Sequence, residues 1–76
     1  MIREHQRVVL EEDVFEQGLR AGDVGTVVHI HTDHKAYEVE FVGLSGESET
    51  IATLRADQVR SVRKHEIAHA RQLVGA

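Results

Sequence analysis

The sequence predicts a small, mostly β fold with five short strands, and three observations carry this prediction. Short runs rich in β-branched residues recur along the chain, with turn residues between them. One run alternates strictly between apolar and charged residues. A long loop follows the first run, as is typical of SH3-like barrels. With 76 residues the chain suffices for one domain. We therefore expect a single SH3-like barrel over residues 1–76, with its core at about 6–63 and a tail at 64–76.

The first strand is predicted at residues 7–10, the run Arg-Val-Val-Leu. Residues 11–22 follow as a long acidic loop, in which we expect Val14, Phe15 and Leu19 to pack back onto the core.

Two glycines, Gly22 and Gly25, flank the start of the second strand. Glycine is needed where the backbone takes a positive φ or where another segment approaches closely. We therefore expect the run from Gly22 to Val28 to be a structural part of the barrel.

The second and third strands are predicted at residues 25–31 and 36–42, joined by a four-residue loop. In the third strand the apolar residues alternate with Glu38 and Glu40, which indicates a half-buried strand. The predicted pairs across this hairpin are Ile30 with Tyr37, Val28 with Val39, His29 with Glu38, and Val27 with Glu40. A shift by one residue would mix the two faces, so the pattern supports this register.

The remaining barrel elements follow a turn at residues 43–49. The fourth strand is predicted at 50–54, a single helical turn at 56–58, and the fifth strand at 59–62. A one-turn helix before the last strand is common in SH3-like folds.

The tail favours a helix over residues 64–74, because Ile67, Ala70 and Val74 have helical spacing. Ile67 and His69 in a short run also fit an added edge strand. We therefore expect a short C-terminal helix or an extra strand.

Composition narrows the classes of function. The formal net charge is −4, which disfavours binding to the phosphates of nucleic acid. Without Cys the chain has neither disulfides nor thiolate metal sites. No run approaches the roughly 20 apolar residues of a membrane span, and no leader peptide is recognisable, so we expect a cytoplasmic protein without membrane contact. We interpret the densest basic group as a solvated face, formed by Arg55, Arg60, Arg63, Lys64 and Arg71.

The tail contains His65-Glu66-Ile67-Ala68-His69, a literal H-E-x-x-H. On a helix this motif places two His one turn apart with Glu as general base, as in zinc peptidases. A third protein ligand is missing after His69, and on a strand the two His would lie about 13 Å apart. His65 and His69 are therefore candidate metal ligands only if the tail is helical.

A second cluster consists of His29, His31 and His34, with Glu38 opposite His29. On a strand His29 and His31 share one face about 6.6 Å apart, where a metal could bind between them. The simpler interpretation is a polar outer face with a His–Glu cross-strand pair. The acidic loop residues Glu11, Glu12, Asp13 and Glu16 are interpreted as solvated, although they also suit a cation or a basic partner.

Several blocks of the sequence together resemble a bacterial family known as domain of unknown function 4926. The blocks are Arg7 to Leu10, Glu12-Asp13, Gly18-Leu19, Ala21 to Val28, Tyr37 to Phe41 and Ala56 to Arg60. The family's members resemble SH3-like barrels and are distantly similar to the β-subunit barrel of nitrile hydratases. The resemblance implies no catalytic residues, because the family has no established activity.

The tail also resembles this family. Its members often end in Glu-Ile-Leu-His-Val-Arg, and the matching segment here is residues 66–71. The H-E-x-x-H is then this family segment with an additional His65, which weakens the zinc interpretation. Residues 14–15 depart from the family, which commonly has Leu-Pro there.

These observations predict a non-catalytic interaction module that uses no cofactor and binds a protein partner or itself. One alternative is a metal-binding protein or metal-dependent hydrolase that uses His65, Glu66 and His69, or His29, His31 and His34. A further alternative is a small barrel that binds RNA, which the acidic charge and the few aromatic residues disfavour.

Overall fold

Five antiparallel strands form one sheet in the computed structural model, which describes residues 1–73. The strands are β1 (Arg7–Leu10), β2 (Val24–Ile30), β3 (Ala36–Val42), β4 (Ser48–Arg55) and β5 (Val59–Ser61). Their order in the sheet is β4-β3-β2-β1-β5, so β4 and β5 form the two edges. The mostly β fold is thus confirmed, and the sheet is consistent with an SH3-like barrel that is not closed.

The connection between β4 and β5 is a single 3-10 turn at Ala56–Gln58, as the sequence predicts. Gln58 at its end is buried and closes the turn: its Oε1 accepts the backbone N–H of Arg55 at 2.7 Å, and its Nε2 donates to Glu12 at 3.3 Å. A buried amide without partners would destabilise the fold, so these bonds tie the turn to the loop after β1.

The hydrophobic core is a cluster of apolar side chains on one face of the sheet. Its buried members are Val8, Leu10, Leu19, Val27, Tyr37, Val39, Phe41, Ala52, Leu54 and Val59. Burial of each large side chain contributes about 1.5–3 kcal/mol, and all of them lie between residues 8 and 59. In the part of the chain that the structure describes, the core is therefore complete before residue 60.

A β-bulge at Val28 changes the predicted pairing of β2 with β3. The pairs Ile30–Tyr37 and His29–Glu38 are confirmed, but Val27 pairs with Val39 and Thr26 with Glu40. Because of the bulge Val27 is fully buried, whereas Val28 is 36% exposed. The predicted pairs Val28–Val39 and Val27–Glu40 are wrong, since one extra residue in β2 reverses the faces beyond it.

The loop after β1 packs only in part as predicted. Leu19 is buried in the core and Val14 packs against it, but Phe15 is 78% exposed. Val14 and Leu19 exchange backbone hydrogen bonds of 2.9 and 3.1 Å. This bridge leaves Phe15 in a 3-10 turn outside it, so Phe15 stays away from the core.

The tail is neither the predicted helix nor the predicted strand. Residues 62–73 have no regular secondary structure, and Val74 lies outside the described residues. His65 has a positive φ of 69°, which interrupts any helix at that point. Side-chain ion pairs, described below, hold this segment instead. Among residues 1–73, none of the helical segments has the length and apolar character to cross a membrane.

Candidate functional site

Residues 62–73 cross the sheet as an irregular segment, the C-terminal strap, whose first anchor is Glu66. Its carboxylate accepts two hydrogen bonds from the guanidinium of Arg60 on β5, at 2.9 and 2.6 Å. The backbone N–H of Arg63 donates to the same carboxylate. The bonds from Arg60 and then Arg63 lower the pKa of Glu66 to about 2. Glu66 is therefore a charged anchor at neutral pH.

The second anchor of the strap is Arg71, which binds Asp23 at the start of β2. The Nε of Arg71 donates to Oδ1 of Asp23 at 2.9 Å, and one Nη donates both to Oδ2 and to the carbonyl of Gly18. Partial burial raises the pKa of Asp23, but the hydrogen bonds from Arg71 and from the N–H of Arg20 outweigh it, and the pKa is lowered. This bidentate pair holds the far end of the strap on the barrel.

The strap lies across part of the outer face of the sheet, the face opposite the core. Directly paired residues of neighbouring strands share a face, so Arg7, Thr26 and Glu40 form one row across β1, β2 and β3. Val24 and Val42 lie on the same face, two residues along from Thr26 and Glu40. This part of the outer face places apolar side chains beside the basic Arg7 and the acidic Glu40.

Two neighbouring grooves lie between the outer face, the β3–β4 turn and the strap. One has a volume of about 630 Å³ and is lined by the row Arg7, Thr26 and Glu40 together with the strap residues 66–68. The other, of about 460 Å³, extends along residues 67–73. Exposed apolar side chains line these grooves: Val24, Val42, Leu44, Val62 and Ile67. Two of them protrude strongly, with Leu44 85% and Ile67 93% exposed.

The structure does not place His65-Glu66-Ile67-Ala68-His69 on a helix. The positive φ of His65 and the irregular backbone remove the geometry in which the two His would share one face. Glu66 is bonded to Arg60 and is therefore not placed as a general base. The predicted candidates His65 and His69 are accordingly residues of the strap, and His69 lines the smaller groove.

The predicted histidine cluster becomes a polar cross-strand network on the outer face. The rings of His29 and His31 stand edge to face with centroids 5.0 Å apart. His31 Nε2 lies 2.5 Å from Glu38, whose carboxylate also accepts the hydroxyl of Thr53. These bonds lower the pKa of Glu38, and the hydrogen bond with His31 has the largest effect.

His34 takes a different place from this network. It lies in the β2–β3 turn with a positive φ of 55°. Among residues 1–73 no three His, Cys, Asp or Glu side chains are grouped so as to hold a metal ion.

The acidic loop is partly used within the fold. Glu11 pairs with Arg60 at 3.2 Å, Glu12 with Arg55 at 3.7 Å, and Asp13 accepts the N–H of Ala21 at 2.9 Å. The loop carboxylates thus bind the loop to β5 and to the end of β4, and Asp13 stabilises the loop itself. The positive charge of the predicted basic face is partly neutralised, because Arg60 and Arg71 both form ion pairs with carboxylates.

Sequence reasoning did not find the grooves, although one signal was present. In β3 the outer-face positions are occupied by Glu38, Glu40 and then Val42, so the last of them departs from the polar pattern. The position of Val24 beside it follows only from strand pairing, and that of Ile67 only from the path of the strap.

The family comparison covers the strands that form these grooves. The pattern of the family described as a domain of unknown function (DUF4926) matches residues 4–61. The chain belongs to the DUF4926 family. The match covers most of the chain, from before β1 to the end of β5. No curated protein and no solved structure matches this DUF4926 chain.

Proposed function

We propose that this DUF4926 domain is a non-catalytic protein-interaction module, which binds a protein partner or itself through the two grooves beside the strap. The observation that carries the proposal is the clustering of exposed apolar side chains at these grooves. Five of the nine large apolar side chains that are exposed among the described residues line them. Contiguous exposed apolar surface with a polar rim is typical of interaction sites.

The rim of the grooves supports the same function. Arg7 and Glu40 make no ion pair within residues 1–73 and stand beside the apolar residues. Charged residues around an apolar centre contribute specificity and association rate to a protein interface. The grooves therefore combine an apolar centre with charges that a partner can meet.

The histidines give less support to the metal alternative. Glu66, the general base in the H-E-x-x-H interpretation, is hydrogen-bonded to Arg60. On the outer face His31 is hydrogen-bonded to Glu38. The RNA alternative is weakened similarly, because the guanidinium groups of Arg60 and Arg71 are engaged by carboxylates. An interaction module uses the free apolar surface that both alternatives leave unexplained.

The test compares Val42→Asp with Phe15→Asp. Both replace an exposed apolar residue by a charge, but only Val42 lies at the grooves. Binding is measured as self-association by light scattering over a wide concentration range and as capture of proteins from a lysate of the source organism. We expect Val42→Asp to weaken whichever association the wild type shows by about tenfold or more, because a charge is then desolvated in an apolar contact.

Phe15→Asp is the matched control and is expected to leave the association unchanged. A larger effect at Phe15 than at Val42 would move the interface to the acidic loop. A wild-type domain that neither self-associates nor captures a partner would contradict the proposed function.

A further inference from the structure

One apolar residue of the sheet is buried outside the core. Val9 pairs with Val24 on β2 and with Arg60 on β5, and it is only 6% exposed although it is not a member of the core cluster. The strap runs from its anchor on Arg60 to its anchor on Asp23 beside β2, so it crosses β1 between them. Its residues 66–68 line the groove that Val9 borders. The strap therefore covers Val9 on the outer face.

The apolar surface continues beyond the strap as a row of three valines. Val9, Val24 and Val42 occupy neighbouring positions on β1, β2 and β3. Val24 is 42% and Val42 46% exposed, and both line the two grooves. The strap thus closes one end of the valine row and leaves the other end open.

Charge rather than apolar packing holds the strap on this row. Residues 62–72 are all exposed, and Ile67, between the two anchors, is 93% exposed. The anchors are ion pairs close to the surface, which contribute little to stability. Weak anchors suffice for a segment of the same chain, because its effective concentration at the barrel is on the order of millimolar.

A separate segment has room for contacts that the strap does not make. Between the anchors the strap carries two small residues, Ala68 and Ala70, and the grooves of about 460 and 630 Å³ lie beside it. Larger apolar side chains at these two positions would bury more of Val24 and Val42. Such a segment competes with the strap for the same anchors and gains apolar contacts in addition.

We propose that the strap is an autoinhibitory segment, and that the partner is an extended protein segment that takes its place on the barrel. This inference rests on the proposed function and extends its docking face beneath the strap. The bound strap defines the chemistry of the partner: a carboxylate for Arg60 and, five residues further on, a guanidinium for Asp23. The order of the two charges fixes the direction of the segment, since the reverse order places like charges together at both anchors.

The experiment releases the strap of the full chain by changes in the strap alone. Glu66→Gln with Arg71→Gln removes both charged anchors and leaves Arg60 and Asp23 unchanged. The probe is a synthetic peptide with the sequence of residues 62–73, titrated into the isotope-labelled chain and followed by NMR. We expect the peptide to bind the released variant at least tenfold more tightly than the wild type, because the tethered competitor is gone. The amides around Asp23 and Arg60 should shift.

Two further peptides test the chemistry of the segment. A peptide of the same composition with Glu66→Arg and Arg71→Glu reverses the order of the charges and should not bind the released variant. A peptide with the natural charges and with Ala68→Leu and Ala70→Leu should bind the released variant at least threefold more tightly than the strap peptide does.

A control variant carries a matched change of charge away from the anchors. Lys64→Gln with Glu47→Gln removes one charge of each sign at two exposed positions. This variant should bind the strap peptide as weakly as the wild type does. If the released variant does not fold, Arg71→Asp alone supplies the second readout, because the introduced carboxylate is repelled by Asp23. It should also bind the strap peptide more tightly than the wild type.

The outcomes separate this inference from the proposed function. The inference is overturned if the strap peptide binds neither chain, binds both chains equally, or binds no better than the peptide with reversed charges. A lack of gain from the two leucines contradicts the apolar contacts of the partner. The proposed function still stands in those cases if Val42→Asp weakens an association that Phe15→Asp leaves intact.

Discussion

Gly25 shows how a single residue controls the packing of the barrel. A Cβ at this position would lie 2.5 Å from Cγ1 of Val39 and 3.0 Å from the carbonyl oxygen of Glu40. Val39 is fully buried and the carbonyl belongs to the neighbouring strand, so neither can move away easily. The sequence predicted a glycine requirement here, and the close approach of β3 is its cause. Gly22, by contrast, requires glycine through its positive φ of 96°.

Gly25→Val is therefore expected to lower the free energy of unfolding by more than about 1 kcal/mol, as is usual for an overpacked core position. Urea unfolding measures the change. Thr26→Val, at the next and partly exposed position, is the control and is expected to stay within about 0.5 kcal/mol. Equal stability of Gly25→Val and the wild type would contradict the close packing of β2 against β3.

The strap is the element that depends most on electrostatics. Its anchors are two Arg–carboxylate pairs, Arg60 with Glu66 and Arg71 with Asp23. In both pairs the folded carboxyl has a lowered pKa. Such a group stabilises the docked state above its ordinary pKa, and this contribution is lost as the pH falls through the folded value. For Glu66 the window runs from the ordinary 4.5 down to about 2.

We expect the carboxyl carbon of Glu66 to titrate in NMR with a midpoint near 2, and the strap to loosen from the barrel over the same range. Arg60→Gln removes the main cause of the shift and should move the midpoint towards 4.5. Arg71→Gln serves as the control, because it releases the other anchor and should leave the midpoint of Glu66 low. A midpoint near 4.5 in the wild type would show that the Arg60 pair does not form in solution.

For the molecule as a whole, the core and the strap are separate contributions. Among residues 1–73, every buried core residue lies between Val8 and Val59, whereas the strap is held mainly by ion pairs at the surface. Surface ion pairs contribute little to stability compared with apolar burial. The barrel is therefore expected to fold without the strap, which instead borders the grooves.

A chain that ends at Ser61 tests this division. It should keep the circular dichroism of a β protein and a cooperative thermal transition, with a melting temperature lowered by a few degrees. A matched Leu19→Ala variant of the full chain, which leaves a cavity in the core, should lose considerably more stability. Loss of the cooperative transition on truncation would show that the strap is part of the fold.

The prediction from sequence succeeded where a local pattern has only one favourable arrangement. The alternation in β3 specified its bounds and its buried face, and the 3-10 turn before β5 lies where the sequence indicated. It failed at Val28 because a bulged strand and a regular strand can have the same pattern of apolar residues. It failed at Phe15 because an apolar loop residue can lie outside a backbone bridge and stay exposed. Neither alternative is distinguishable without the neighbouring strand.

The sequence by itself determined the mostly β fold, the order of the strands along the chain and membership of the DUF4926 family. These depend on local composition and on the glycines that turns and close approaches require. The tertiary structure alone decided the course of residues 62–73, because ion pairs with Arg60 on β5 and with Asp23, 48 residues from Arg71 in sequence, override the helical tendency of the tail. It also decided the candidate site, since only strand pairing brings Arg7, Thr26 and Glu40 into one row beside exposed apolar side chains.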